Sequence, residues 1–296
     1  MLIFYIKYGI RSYLMKYKRS ERLVFMTRHL TAHPNQLIPL TFFVEKFNQA
    51  KSSISEDIRI IKEVFENDGI GIVQTTAGAG GGVTFQPRIS YSRAEEIVEE
   101  FMEMLKTKER LLPGGYLYMS DIMGNPTLMN NIGELIATMY GDEEIDAVVT
   151  IATKGISLAN AVARKLNVPV AVIRKDNKVT EGSTVSVNYV SGSTRKIETM
   201  VLSKRTLKEG SKVLVVDDFL RAGGSITGVI NLMEEFAAKV VGVSVLVEAK
   251  QVEHRRFNDY TSLLKVSDID EFNQSFLVEE GNCLEYIEET FQKHEP

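Results

Sequence analysis

The sequence predicts an α/β protein in two parts, a small winged helix-turn-helix over residues 15–88 and a parallel-sheet domain over residues 89–296. Three observations predict it. Residues 116–247 alternate short apolar runs with helix-spaced segments, the pattern of parallel strands joined by crossover helices. Residues Val213–Thr227 read VLVVDDFLRAGGSIT, an apolar run that ends in two aspartates, a glycine turn and the start of a helix. Residues 16–88 read as helix, polar turn and helix, followed by two short strands around a glycine-rich tip.

In the N-terminal part, Ser20 is placed to cap a helix that carries Leu23, Val24, Phe25 and Leu30, and Pro34 breaks the chain after it. Ile38-Pro39-Leu40-Thr41 opens a second helix that runs through Phe47, and Asn48–Ser52 forms a polar turn. Ser53-Ile54-Ser55-Glu56 has the form of a capping box. The third helix places Ile54, Ile58, Ile61 and Phe65 on one face, spaced 4, 3 and 4 apart. Asn67-Asp68-Gly69 ends it. Ile70–Thr76 and Val83–Gln86 then read as strands around the AGAGGG tip. That glycine run is not a dinucleotide fingerprint, since no helix follows it.

A helix-turn-helix sends its second helix into the major groove, so Lys51, Ser53, Ser55, Arg59 and Lys62 are the candidate DNA-facing residues of the third helix. Arg59 is the candidate base contact, because a guanidinium bonds two acceptors of guanine. Lys16, Lys18, Arg19 and Arg22 form a basic cluster suited to phosphates. The charge distribution agrees: residues 1–88 hold 12 Lys and Arg against 7 Asp and Glu, a net of +5, whereas the remainder holds 23 against 32, a net of −9. The plain alternative is a helical docking module with a solvated charged face.

Ser92-Arg93-Ala94-Glu95 reads as the capped start of a linking helix, and Pro113-Gly114-Gly115 breaks the chain before a short strand at Tyr116–Met119. Beyond it, helices are expected at Asn130–Tyr140, Ile156–Leu166 and Gly228–Ala237, and strands at Ala147–Ile151, Val168–Ile173, Val213–Val216 and Val240–Val247. This order implies a parallel sheet with helices on both faces. Asp217 and Asp218 then stand at the carboxyl end of a strand, where open α/β sheets bind ligands. Next to them, the amides of Arg221, Ala222, Gly223, Gly224 and Ser225 at a helix start can hold a phosphate. A second such turn, Ala152-Thr153-Lys154-Gly155, also joins a strand to a helix and adds the Lys154 charge, so it can cradle a diphosphate.

Composition excludes other classes. One cysteine, Cys283, leaves no internal disulfide framework and fits a reducing cytoplasm. His29 and His33 are four apart, but no second ligand pair follows, so no metal site is expected. No stretch approaches membrane-spanning length, and no membrane partner is expected. Residues 1–14, MLIFYIKYGIRSYL, are interrupted by Lys7 and Arg11 and read as an extension without function ahead of a start at Met15.

Val213–Thr227 resembles the signature of type I phosphoribosyltransferases, which gives the larger part a phosphoribosyltransferase-like fold. In that family the acidic pair grips the ribose hydroxyls of phosphoribosyl pyrophosphate (PRPP), and the glycine loop, here with Phe219 ahead of it, holds the 5'-phosphate. Ala222 departs from the usual Ser or Thr, which removes one side-chain contact and leaves the backbone cradle. The run Arg174-Lys175-x-x-Lys178 and the pair Ser186 and Tyr189 are similar to the adenine and xanthine phosphoribosyltransferases, where they flank a flexible loop, here about Val190–Thr199, that closes over the diphosphate. By this resemblance Lys175 and Tyr189 join the PRPP-binding set. Nearly the whole chain, through RSERLVFMTRHLTAHPNQLIPLTFF, SSISEDIRIIKEVFE, LLPGGYLYMSDI, TIATKGI, VIRKDNKVTEGSTVSVNYVSG and VLVVDDFLRAGGSI, resembles the purine operon regulator family of Gram-positive bacteria. The resemblance implies a homodimer that binds operator DNA and senses PRPP without transferase chemistry. No cofactor is required on this reading. PRPP acts as effector, Mg²⁺ is the ion that could accompany it, and guanine nucleotides stay open as a further partner.

The rival reading is an active purine phosphoribosyltransferase with an accessory domain, and no purine-binding residue is legible to separate the two. Incubation with PRPP and each purine base, followed for nucleotide and pyrophosphate, separates them. A metal-dependent hydrolase built on the aspartate pair is disfavoured, since no other carboxylate cluster accompanies it. Deletion of residues 1–14 is expected to leave thermal stability and DNA affinity unchanged; a loss of operator binding in that truncation would show that the extension matters.

Overall fold

The structure is a computed structural model, and it describes residues 16–78, 80–176, 179–191, 196–250 and 255–292. The expectation about residues 1–14, and the role given to Lys178, fall outside the described residues. The chain divides between Arg88 and Ile89 into two compact units.

The first unit holds α1 (Arg19–Ala32), β1 (Ile38–Pro39), α2 (Leu40–Phe47), α3 (Lys51–Asn67), β2 (Gly71–Thr75) and β3 (Gly82–Pro87). The strands form one antiparallel sheet in the order β1-β3-β2, with Ile38 opposite Val83 and Val73 opposite Phe85. Ile54, Ile58, Ile61 and Phe65 of α3 are all buried, as their spacing requires, and pack with Met26, Leu30, Phe43, Phe47, Val73 and Phe85. Asn48 ends α2 in the left-handed conformation that permits the tight turn into α3. Helix, turn, helix and hairpin together make a winged helix.

Three local expectations are corrected here. Ser20 is not the cap of α1: Lys18 is, and its backbone N–H donates to Glu21 Oε2 at 2.7 Å. Ser53 is not the cap of α3, which begins at Lys51 with Ala50 as an uncapped N-cap; the Ser53 N–H instead donates to the Ala50 carbonyl at 3.0 Å. Ile38 and Pro39 do not open α2 but pair as a strand, because Ile38 is wanted in the core under the hairpin.

The second unit holds α4 (Tyr91–Leu105), β4 (Leu111–Leu112), β5 (Tyr116–Leu117), α5 (Ser120–Met123), α6 (Pro126–Met139), β6 (Ala147–Ile151), α7 (Gly155–Leu166), β7 (Val170–Ile173), β8 (Thr184–Val190), β9 (Ile197–Ser203), β10 (Lys212–Leu220), α8 (Gly224–Glu234), β11 (Lys239–Ala249), β12 (Thr261–Asp270), β13 (Ser275–Glu280) and α9 (Cys283–Gln292). Ser90, not Ser92, caps α4, its Oγ accepting the Arg93 N–H at 3.2 Å. The buried Ile97, Val98, Phe101 and Leu105 make α4 part of this unit's core rather than a free linker.

The main sheet runs β13-β12-β11-β10-β6-β7, parallel except for the antiparallel edge β13. Alternation along the strands fills two layers. Val148, Leu214, Val216, Leu246 and Leu264 belong to one core with Phe101, Ile132, Leu158, Val162 and Ile287 from α4, α6, α7 and α9. Val149, Val213, Val215, Val243 and Val245 belong to the other, with Ile226, Val229 and Leu232 of α8 and with Tyr189, Met200 and Leu202 of the β8–β9 hairpin. The chain leaves β6 toward β7 on one side and leaves β10 toward β11 on the other. The sheet's topological switch point therefore lies between β6 and β10, where an open α/β sheet forms a crevice at its carboxyl end.

One buried ion pair ties the first unit together. Arg22 Nε lies 2.7 Å from Asp57 Oδ2, with 10% and 0% of the two side chains exposed, and Arg19 Nε adds a bond of 3.0 Å to Oδ1. Removing one partner of a buried pair strands the other charge. Asp57→Ala is expected to destabilise the winged helix by about 3–5 kcal/mol, visible as a separate early transition in thermal or urea unfolding. A variant within about 0.5 kcal/mol of wild type would contradict this role.

Candidate functional site

The cleft beside the switch point is built from the carboxyl ends of β10, β11 and β12, and the turn after β6 adds Lys154. β10 runs four residues past the expected Val216, so Asp217 and Asp218 lie within the strand. Asp217 is buried and Asp218 half-buried, and the Asp218 N–H donates to Asp217 Oδ1 at 3.1 Å. Burial raises the carboxyl pKa of Asp217 well above the usual range, and the neighbouring Asp218 charge adds to it. Burial also raises that of Asp218, against the pull of Lys154, whose Nζ stands 3.9 Å from Asp218 Oδ2. A pair so poised accepts hydrogen bonds from hydroxyl donors such as a ribose diol, which replace lost hydration without adding charge.

Two helix starts flank the pair. After β10, Gly223 adopts φ +77 as the N-cap of α8, that helix has no side-chain cap, and Gly223, Gly224 and Ser225 at its start line the cleft, where uncapped helix amides can receive an anion. After β6, the Ala152–Thr153 peptide is cis and Gly155 begins α7. A side chain at Gly155 would overlap Thr150 Oγ1 and come within 3.1 Å of Asp217 Oδ1, so only glycine lets this turn approach the acidic pair. Thr153, Lys154 and Arg221 are exposed and available to an anionic ligand.

The cleft encloses about 490 Å³, and its lining takes in Lys154, Asp217, Asp218, Phe219, Arg221, Ala222, Gly223, Gly224 and Ser225. The structure thus brings most of the expected set together. Ala152, Thr153 and Gly155 sit in the adjoining turn. Lys175 and Tyr189 border the lining and meet at Glu198: Lys175 Nζ and Tyr189 OH donate to Glu198 Oε2 at 2.9 and 2.7 Å, the Lys175 charge acts on Asp217, and Tyr189 bonds the Ser225 side chain. The bond to Glu198 raises the Lys175 pKa. The closing loop expected over Val190–Thr199 is shorter than that: Val190 ends β8 and Ile197–Thr199 open β9, paired across the hairpin, and residues 192–195 fall outside the described residues. The sequence reading missed the opposite wall, formed by Tyr116, Leu117, Met119 and the Val266–Ile269 end of β12. Only proximity in the fold marks these residues, so no local motif could have found them.

On the first unit, α3 presents Lys51, Ser55, Arg59 and Lys62 on its exposed face, with Ser53 half-buried. Arg59 is not a free cation: it pairs with Glu56 at 2.8 Å and with Glu63, and Lys62 lies 3.6 Å from Glu66. Lys16 and Lys18 are exposed. Arg22 is corrected: it is 8% exposed and committed to Asp57, so it stabilises the fold instead of meeting phosphate, while the half-exposed Arg19 is shared between Asp57 and Glu56.

A winged helix joined to an α/β domain of phosphoribosyltransferase type, with an acidic pair and a glycine loop at the switch point, defines a class of DNA-binding regulators with a nucleotide-type fold as their second part. Residues 18–87 match the family model described as bacterial purine repressor, N-terminal, and residues 119–280 match the phosphoribosyl transferase domain. The chain is 52% identical over 280 residues to the purine biosynthesis transcriptional repressor PurR of Bacillus subtilis, covering 95% of this chain and 98% of that one. It is 48% identical over 265 residues to the purine biosynthesis transcriptional activator PurR of Lactococcus lactis, covering 90% and 98%. A xanthine phosphoribosyltransferase of Agathobacter rectalis is 30% identical over 191 residues, 60% of this chain and 100% of that one. Among solved structures, the adenine phosphoribosyltransferase of Thermoanaerobacter pseudethanolicus superposes with a TM-score of 0.50 at 22% identity, covering 57% of this chain and 99% of that one, a likeness of fold alone. The chain belongs to the PurR family of purine biosynthesis transcriptional regulators. Its phosphoribosyltransferase-type domain therefore serves a regulator, not an enzyme. Among the described residues no helix is long and apolar enough to cross a membrane.

Proposed function

We propose that this regulator of purine biosynthesis senses PRPP in the switch-point cleft and binds operator DNA through α3, acting as a homodimer in the cytoplasm. One observation carries the effector reading. A buried acidic pair that favours hydroxyl donors lies between two glycine-bearing helix starts that favour phosphates. PRPP offers that sequence of groups: a 5'-phosphate for Arg221–Ser225, a ribose diol for Asp217 and Asp218, and a diphosphate for Thr153–Gly155 with Lys154. Among the described residues no group of three His, Cys, Asp or Glu could hold a metal ion, so Mg²⁺ would be carried chiefly by the ligand's own oxygens. The wall of Tyr116, Leu117, Met119 and Ile269 supports guanine nucleotides as a second occupant of the cleft. The names of relatives include both a repressor and an activator, so the sign of regulation is left to experiment.

For DNA, α3 is the major-groove helix. Its uncapped N-terminus and the exposed Lys51 and Ser55 support that docking, and a homodimer would match two half-sites. Arg59 reaches base edges only by leaving Glu56 and Glu63, exposed pairs of little worth in water.

Replacing both Asp217 and Asp218 by Ala is expected to abolish PRPP binding in calorimetry and to leave the affinity for operator DNA without PRPP intact. Unchanged PRPP affinity would sink the assignment. On the DNA side, Arg59→Ala is expected to reduce discrimination between operator and random DNA by about 1–3 kcal/mol. Lys18→Ala should weaken both alike and flatten the salt dependence by about one unit of slope. If Arg59→Ala left discrimination untouched while Lys18→Ala removed it, the proposed docking would be wrong.

A further inference from the structure

Glu248 is a buried carboxylate that the ligand site does not use. It lies at the end of β11, opposite Leu220 of β10, and is 5% exposed. Three donors converge on it: Ser262 Oγ at 2.7 Å on Oε1, and the Tyr260 hydroxyl and the Arg255 guanidinium on Oε2. Arg255 also donates to the Ala249 carbonyl, and its guanidinium lies 5.3 Å from the centre of the Tyr260 ring. Neither Glu248 nor Arg255 lines the cleft.

The residues that follow Arg255 rest on the phosphate loop. The Arg256 N–H donates to the Ala222 carbonyl at 3.0 Å, and the Arg256 guanidinium donates to the Val190 carbonyl at 3.4 Å. Phe257 packs on Gly223: a Cβ added there would stand 3.0 Å from Phe257 N and 3.2 Å from Phe257 Cβ. The left-handed Gly223 and the free amides after it are therefore held from outside by 255–257.

A buried ion pair is a weak source of net stability, since apolar residues of the same volume do as well. Its distinct property is direction. A guanidinium bound at once to a carboxylate and a carbonyl, with a ring beneath it, admits one placement. We infer that Glu248 and Arg255 are positioning residues of the effector site: their ion pair fixes 255–257, and that segment fixes Arg221–Ser225 in the geometry that takes a sugar phosphate. The inference rests on the reading that the cleft takes PRPP, and it assigns the pair to the 5'-phosphate half of the site, away from the Thr153–Gly155 half.

The test uses the full chain and calorimetry with PRPP, ribose 5-phosphate and inorganic pyrophosphate. Arg255→Leu is expected to weaken PRPP and ribose 5-phosphate by roughly tenfold or more and to leave pyrophosphate unchanged. Tyr260→Phe keeps the ring and removes one bond to Glu248, so the same two ligands should weaken by about three- to tenfold. Tyr260→Phe decides alone if Arg255→Leu fails to fold. Wild-type affinity for ribose 5-phosphate and PRPP in these variants overturns the inference, and so does an equal loss of all three ligands, the mark of a general collapse. A wild-type chain that binds neither PRPP nor ribose 5-phosphate overturns the reading of the cleft as well, a result distinct from variants that bind as tightly as wild type.

Discussion

Two carboxylates forced together at the dry end of a parallel strand constrain the whole second unit. Asp217 and Asp218 follow four fully buried aliphatic residues of β10, and burial raises both pKa values. Such a pair is costly without partners. The surroundings offset the cost in part, through Lys154 and the Asp218 amide, and a ligand rich in hydroxyls and phosphate would complete it. The same requirement explains Gly155, which lets a second helix start come beside the pair without a side chain in the way.

The strand order makes this arrangement possible. β6 and β10 are neighbours whose chains depart in opposite directions, and the turn after β6 comes beside the acidic pair at the end of β10. An enzyme can use that crevice to align a base for attack on the sugar. A regulator needs only the difference in binding free energy between two of its states. The fold is shared with transferases, but the chain's kinship lies with PurR regulators over nearly its full length.

Much of this was legible in local pattern. The four apolar residues before Asp217 announced β10, and the 4, 3, 4 spacing of Ile54, Ile58, Ile61 and Phe65 announced the buried face of α3. Helix caps are less legible. Ser20, Ser53 and Ser92 fit the motif, yet each helix starts two to three residues earlier, because tertiary packing chose the entry of the chain. Charge was read as surface by default, and Arg22 shows the limit: its partner Asp57 lies 35 residues away, and neither residue signals the other. The β8–β9 hairpin, β12, β13 and α9 are not legible as elements, and with them go Glu198 and the Val266–Ile269 wall, while Glu248 lies just past the legible part of β11. Those residues act through contacts made only after folding.

We propose that occupancy of the cleft governs the affinity of the winged helix for DNA. Operator affinity measured across a PRPP titration tests it most directly, at fixed salt because phosphate contacts make affinity salt-dependent. The account predicts that operator affinity changes in step with PRPP occupancy of the cleft, in one direction and to a plateau. Operator affinity that stays constant while PRPP saturates the protein would contradict it.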